Sequence, residues 1–162
     1  MKNKKGFTLV ELLAVIVILA VIILIAVNAV LPQMNRARKN SFADEALNYL
    51  KAAETKYVEG AMDAGSGGTS YTALVGSLNG QYVSKSSSSG YRGKVVLTIS
   101  DADDETAGNV TAKHIWLTDC KKYMIINKTA DVKGTDVAVY DRTTWNALFT
   151  GSTETDEQCP AS

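Results

Sequence analysis

The chain of 162 residues has no excess of either charge: 17 lysines and arginines balance 17 aspartates and glutamates. Nothing in that balance points to nucleic acid or to a strongly charged partner. Histidine occurs once, as His114, and cysteine twice, as Cys120 and Cys159. One histidine, with no second cysteine near either thiol, gives no zinc-type ligand spacing and no Cys–His nucleophile signature. Glycine is missing between Gly6 and Gly60, and Pro32 is the only proline in that interval. The stretch therefore lacks helix breakers, apart from one position where a helix would bend. No polar side chain occurs from Leu12 to Val27. A buried helix of a soluble domain rarely goes so many turns without one.

What is present is organised from the N-terminus. Lys2, Lys4 and Lys5 form a basic tip, and the chain then turns apolar from Phe7 to Leu31, interrupted early by Glu11. Those roughly 25 residues are long enough to cross the hydrocarbon core of a bilayer with some tilt. Lysine-rich flanks tend to stay in the cytoplasm, so the rest of the chain is expected outside. Beyond Pro32 the pattern becomes amphipathic. Phe42, Ala46, Leu50, Ala53 and Tyr57 recur every three or four residues, with Lys39, Asp44, Glu45, Lys51, Glu54 and Lys56 on the other faces. The spacing predicts one helix over about residues 7–59, apolar in its first half and one-sided in its second.

From Gly60 the sequence loosens into glycine- and serine-rich connections at 60–70 and 84–93. Between them, residues 71–83 read as a short helix or strand. Alternating segments at 94–100, 110–117, 122–128 and 136–140 predict four strands of an antiparallel meander, and "DRTTWNALF" a closing turn of helix. Val95, Leu97 and Ile99 would form the inner face of the first strand, and the Phe42–Tyr57 stripe is the expected cover. Two cysteines in an exported half suggest one disulfide, Cys120–Cys159, which would pin the tail "GSTETDEQCPAS". A pair of free thiols is the alternative.

At the N-terminus, "KKGFTLVELL" resembles the prepilin signature of type IV pilins and the related pseudopilins of type II secretion and DNA-uptake systems. The resemblance rests on Lys4, Lys5, Gly6, Phe7, Thr8, Leu9, Val10 and Glu11 and on the apolar segment that follows; it covers residues 4–31 closely. It implies an α+β fold: a long N-terminal spine helix, half transmembrane and half amphipathic, packed on a small antiparallel sheet with a disulfide-closed C-terminal region. It also implies a leader of residues 1–6 removed after Gly6 by a prepilin peptidase, with methylation of the new Phe7 amine. The segments would be an assembly helix at 7–32, the amphipathic half at 33–59 and a globular head at 60–162. Glu11, together with the Phe7 amine, would serve assembly. The implied partners are identical subunits in a helical homopolymer, a cytoplasmic assembly ATPase with its inner-membrane platform, and the membrane before assembly. No cofactor and no metal is implied. Two features depart from the family's pattern. Ala20 stands where many relatives have glycine, and Pro32 lies about one turn beyond the usual proline, which falls near Asn28; this leaves open where, and whether, the helix would melt in a filament.

Other readings compete with the leading one, a pilus subunit serving adhesion, motility or DNA uptake. A pseudopilin is the nearest alternative, although the large head and the cysteine pair lean away from the competence type. A signal peptide cut near Val27–Asn28–Ala29 would release a secreted protein, and an uncut one would anchor it. Neither explains Glu11, which is costly in such a segment. An enzyme lacks any catalytic constellation around His114. The acidic loop with Asp101, Asp103, Asp104 and Glu105 lacks the glycine and trailing glutamate of an EF-hand and reads as a solvated hairpin. Asn109 and Asn127 head short glycosylation patterns that arise by chance. Lys121 and Lys122 leave nucleic acid an unsupported partner. Tyr71, Tyr82 and Tyr91 are expected to pack.

Overall fold

The computed structural model describes residues 7–64, 70–83, 90–100, 108–129, 131–150 and 158–159. The leader with Gly6, the acidic loop at 101–107 and most of the tail beyond Thr150 lie outside the described residues. The chain forms α1 (Leu9–Ala64), β1 (Ser70–Leu74), a one-turn α2 (Val75–Leu78), β2 (Arg92–Ile99), β3 (Val110–Thr118), β4 (Tyr123–Lys128), a 3-10 turn at Gly134–Asp136, β5 (Ala138–Val139) and α3 (Arg142–Ala147). The strands make one antiparallel sheet in the order β1-β2-β3-β4-β5, the expected meander with β1 added at one edge. The α+β expectation holds, with the long apolar N-terminal helix and the Cys120–Cys159 disulfide both present. Segment 71–83 proves to contain both alternatives, a strand and then a helical turn. The expected strand at 136–140 shrinks to two residues, because Gly134–Asp136 is coiled into the 3-10 turn just before it.

The chain divides into two compact units, Met1–Arg38 and Lys39–Ser162. In the first, every residue from Phe7 to Arg38 is exposed, and the helix continues through Pro32. Proline removes one N–H and crowds the carbonyl four residues earlier, that of Asn28. The Asn28 amide group meanwhile donates to the Leu24 carbonyl at 3.4 Å.

The second unit is built on a core between the amphipathic turns of α1 and one face of the sheet. Phe42, Ala46, Leu50 and Ala53 are buried as the periodicity predicts, and Tyr57 is partly so. The stripe is wider than expected. Ala43, Ala52 and Tyr49 also lie inside, and Tyr49, fully buried, donates its hydroxyl to Asn79 Oδ1 at 2.7 Å. Alternation on the strands delivers Val95, Leu97, Ile115, Leu117, Tyr123 and Ile125 to the same core. The three tyrosines pack, as expected. Tyr71 lies against Tyr57, Tyr91 against Phe42 and Tyr49, and Tyr82 donates its hydroxyl to Glu59 on α1. Glu54 of α1 pairs with Lys113 of β3 at 2.6 Å. At Gly134 a Cβ would overlap the Asn40 side-chain oxygen, so any larger residue there would displace the Asn40 side chain.

The sheet has a second covered face, which the periodicity does not reveal. Trp145 and Phe149, flanking the end of α3, are fully buried with Met124 and Cys159, and Trp116, Ile126 and Tyr140 pack around them. Lys94 Nζ lies 5.6 Å from the ring centroids of both Trp116 and Phe149, within cation–π range. His114 sits beside Trp116 on this face, and its Nδ1 lies 2.9 Å from Asn127 Oδ1. Asn127 occupies the left-handed region (φ 48°), where β3 and β4 lose register between Ile115 and Leu117. That is the signature of a β-bulge.

Leu97→Ala should lower the stability of the second unit by about 2–5 kcal/mol through lost burial and a residual cavity; urea denaturation followed by the fluorescence of Trp116 and Trp145 measures it. Acid should also loosen this unit. The Asp141 carboxyl is held below its ordinary value of 3.8 by the Thr144 hydroxyl and then the Thr143 amide. Asp136 is lowered by the Lys133 amide and then the Lys128 ammonium. Depressed carboxylates contribute stability that is present above the unfolded pKa and lost as pH falls through the folded one. The urea midpoint should therefore fall from about pH 4 downward, and Asp141→Asn, which keeps a cap, should flatten that slope.

Candidate assembly segment at the N-terminus

The functional candidates of the first unit cluster on the first turn of α1. Helix starts leave backbone N–H groups without partners, and a Thr-x-x-Glu sequence can satisfy two of them reciprocally. The chain does this with Thr8 and Glu11. The Glu11 amide donates to Thr8 Oγ1 at 3.3 Å, and the Thr8 amide donates to Glu11 Oε2 at 2.9 Å. The Thr8 hydroxyl donates to the same oxygen at 2.9 Å. The first intrahelical bond, Leu12 N–H to the Thr8 carbonyl, closes at 3.2 Å. Phe7 stands immediately before this cap and is 91% exposed, and Leu9, the first helical residue, is 80% exposed.

A negative side chain in the first turn also complements the positive end of the helix dipole. Glu11 thus has a role within its own chain, besides the assembly role that the resemblance implies. The signal was legible as "TLVE" at 8–11. On the Glu11 carboxylate, Oε2 accepts both Thr8 bonds.

After the cap comes the apolar run. An eighteen-residue window within Leu9–Gly60 reaches a mean hydropathy of 3.4, and none of that window is buried. This is one helix long and apolar enough to cross a membrane. A continuous apolar face of this extent requires lipid or other apolar helices around it.

The cysteines lie in the second unit. Cys120 and Cys159 are joined, with Cα atoms 5.6 Å apart across a separation of 39 residues. The loop model assigns a closure of that length about 4 kcal/mol. Lys121 and Lys122 are exposed beside Cys120, with Lys122 Nζ over the Tyr123 ring at 5.5 Å.

Residues 1–27 match the family model described as the prokaryotic N-terminal methylation motif. This is the prepilin signature of type IV pilins and pseudopilins. With the apolar helix that follows it, the match supports a type IV pilin-like or pseudopilin protein. Searches of curated proteins and of solved structures gave no match to the chain.

Thr8→Ala should fray the first turn of α1 by about 0.5–2 kcal/mol, whereas Thr8→Ser should preserve the cap. Amide hydrogen exchange of residues 9–12 in full-length protein in detergent micelles reads the difference.

Proposed function

We propose that this chain is the structural subunit of a type IV pilus, cut after Gly6, methylated on Phe7 and polymerised through its apolar N-terminal helix. The observation that carries this reading is the conjunction of a matched methylation motif at residues 1–27 with an apolar helical run exposed along its whole length. In the membrane, lipid covers that run. In a filament, neighbouring copies of the same helix cover it, and non-closing contacts between identical subunits generate a fibre instead of a ring.

Cleavage after Gly6 creates an ammonium on Phe7, four residues before Glu11. Thr8 fixes Glu11 through Oε2, and Oε1 receives the Phe7 ammonium of a neighbouring subunit in a staggered bundle. Leaving either charge unpaired in an apolar surround is costly, so the pair sets register more than it adds stability. The exported unit forms the outer wall, and a cytoplasmic ATPase with its membrane platform drives extraction. Adhesion, motility and DNA uptake are the uses such a fibre serves.

N-terminal mass spectrometry of the protein taken from cells should find a methylated Phe7 as the first residue. An intact Met1, or a start at Val30, sinks the proposal. Glu11→Ala should leave this processing largely intact and reduce assembly, scored by electron microscopy of sheared surface fibres; normal fibre yield from the variant would overturn the pairing. Fibres long enough to shear also separate a pilus from a pseudopilus.

A further inference from the structure

Besides the disulfide, the backbone of Cys159 is held by the side chain of Asn146. Asn146 lies on α3, between the buried outer-face residues Trp145 and Phe149. Its Oδ1 accepts the Cys159 amide N–H at 2.9 Å, and its Nδ2 donates to the Cys159 carbonyl at 3.2 Å. A primary amide offers one acceptor and two donors, so it engages both backbone groups of one residue as a neighbouring strand would. Gln158 Nε2 adds a bond to the Asn146 carbonyl at 3.5 Å.

The other half of the disulfide is fixed just as independently. Asp119 Oδ1 accepts the amides of Lys121, Lys122 and Tyr123 at 3.0, 2.8 and 2.9 Å. Thr118 Oγ1 accepts the Cys120 amide at 3.0 Å and donates to the Tyr123 carbonyl at 2.9 Å. These bonds hold Cys120 in a left-handed conformation (φ 55°). Neither clamp uses a sulfur atom.

We propose that Asn146 is a positioning residue for the oxidation of the cysteine pair, docking Cys159 opposite Cys120 before the sulfur–sulfur bond exists. Cys159 is buried (4% exposed) and Cys120 is only half-buried, so Cys120 meets the oxidant, a disulfide of general form RSSR. The Cys120 thiolate attacks one sulfur of RSSR, forming Cys120–S–S–R and releasing RS⁻, which takes up a proton. Cys159, having lost its proton to solvent, then attacks Cys120 Sγ and expels the second RS⁻. The two protein thiols are oxidised, and RSSR is reduced to two RSH. Asn146 acts on the second step alone, by raising the effective concentration of the Cys159 sulfur at Cys120. This role is independent of whether the chain builds a pilus, and its test needs no filament.

The test uses full-length protein in detergent micelles, reduced and then exposed to oxidised glutathione. Acid-quenched samples are read by mass spectrometry for the Cys120 glutathione adduct and for the closed disulfide, with tryptophan fluorescence of unquenched protein reporting the fold. Asn146→Ala should leave adduct formation unchanged and slow closure by about tenfold, as two lost hydrogen bonds imply, so that adduct accumulates. Asn146→Asp, which keeps the acceptor and loses the donor, should fall between. Closure of Asn146→Ala within about twofold of the parent, where two lost bonds predict tenfold, overturns the proposal. So does a variant that slows both steps equally. A second measurement requires no variant: in the reduced parent protein, the Cys159 amide should be protected from hydrogen exchange. Exchange there at the unfolded-chain rate would refute the idea even if Asn146→Ala failed to fold.

Discussion

One helix has to satisfy two surroundings, and the rest of the molecule follows from that demand. Every side chain that α1 presents from Leu9 to Arg38 is exposed, whereas from Phe42 onward one stripe of the same helix is the inner wall of a core. Backbone hydrogen bonding is indifferent to this change, because each N–H is satisfied within the helix whatever lies outside it. The side chains alone decide. An uninterrupted apolar run commits the first part to lipid or to other helices, and a three-to-four repeat commits the second to a sheet. Absence of glycine over 7–59 lets a single element carry both commitments.

The start of that helix carries a concentrated set of constraints. Its first turn must supply a cap without adding a polar group that the apolar run cannot tolerate. Thr8 and Glu11 meet this by bonding to each other's backbone, so the carboxylate enters the segment already hydrogen-bonded. A carboxylate held in place costs less conformational freedom when a second charge arrives than one that must first be ordered. The cap and the proposed register pairing therefore use the same side chain in compatible ways.

At the other end, the sheet is covered twice. The α1 stripe occupies one face, and α3 with Cys159 occupies part of the other. The disulfide, the Asn146 clamp and the Trp145–Phe149 pair converge on this small region. An antiparallel meander leaves its second face open by default, and here a six-residue helix and Cys159 close part of it.

Much of this was legible in the residues. The helix, the inner face of β2, the α+β class and the prepilin signature all rest on patterns contained within a few turns or a few strand residues. Periodicities of 3.6 and 2 report which face of an element is apolar, and they do so locally. The capping box was equally local, in "TLVE". What the tertiary structure alone decided are the contacts between residues far apart in the chain. Tyr49 is buried because Asn79, 30 residues later, receives its hydroxyl. Gly134 lies against the side chain of Asn40, far earlier in the chain. The outer face exists because α3 folds back over Met124 and Trp116, and Asn146 acquires a partner only when Cys159 is brought beside it. Short-range patterning determined which faces are apolar; which of them meet, and which polar side chain is waiting where they do, depended on the folded path of the chain.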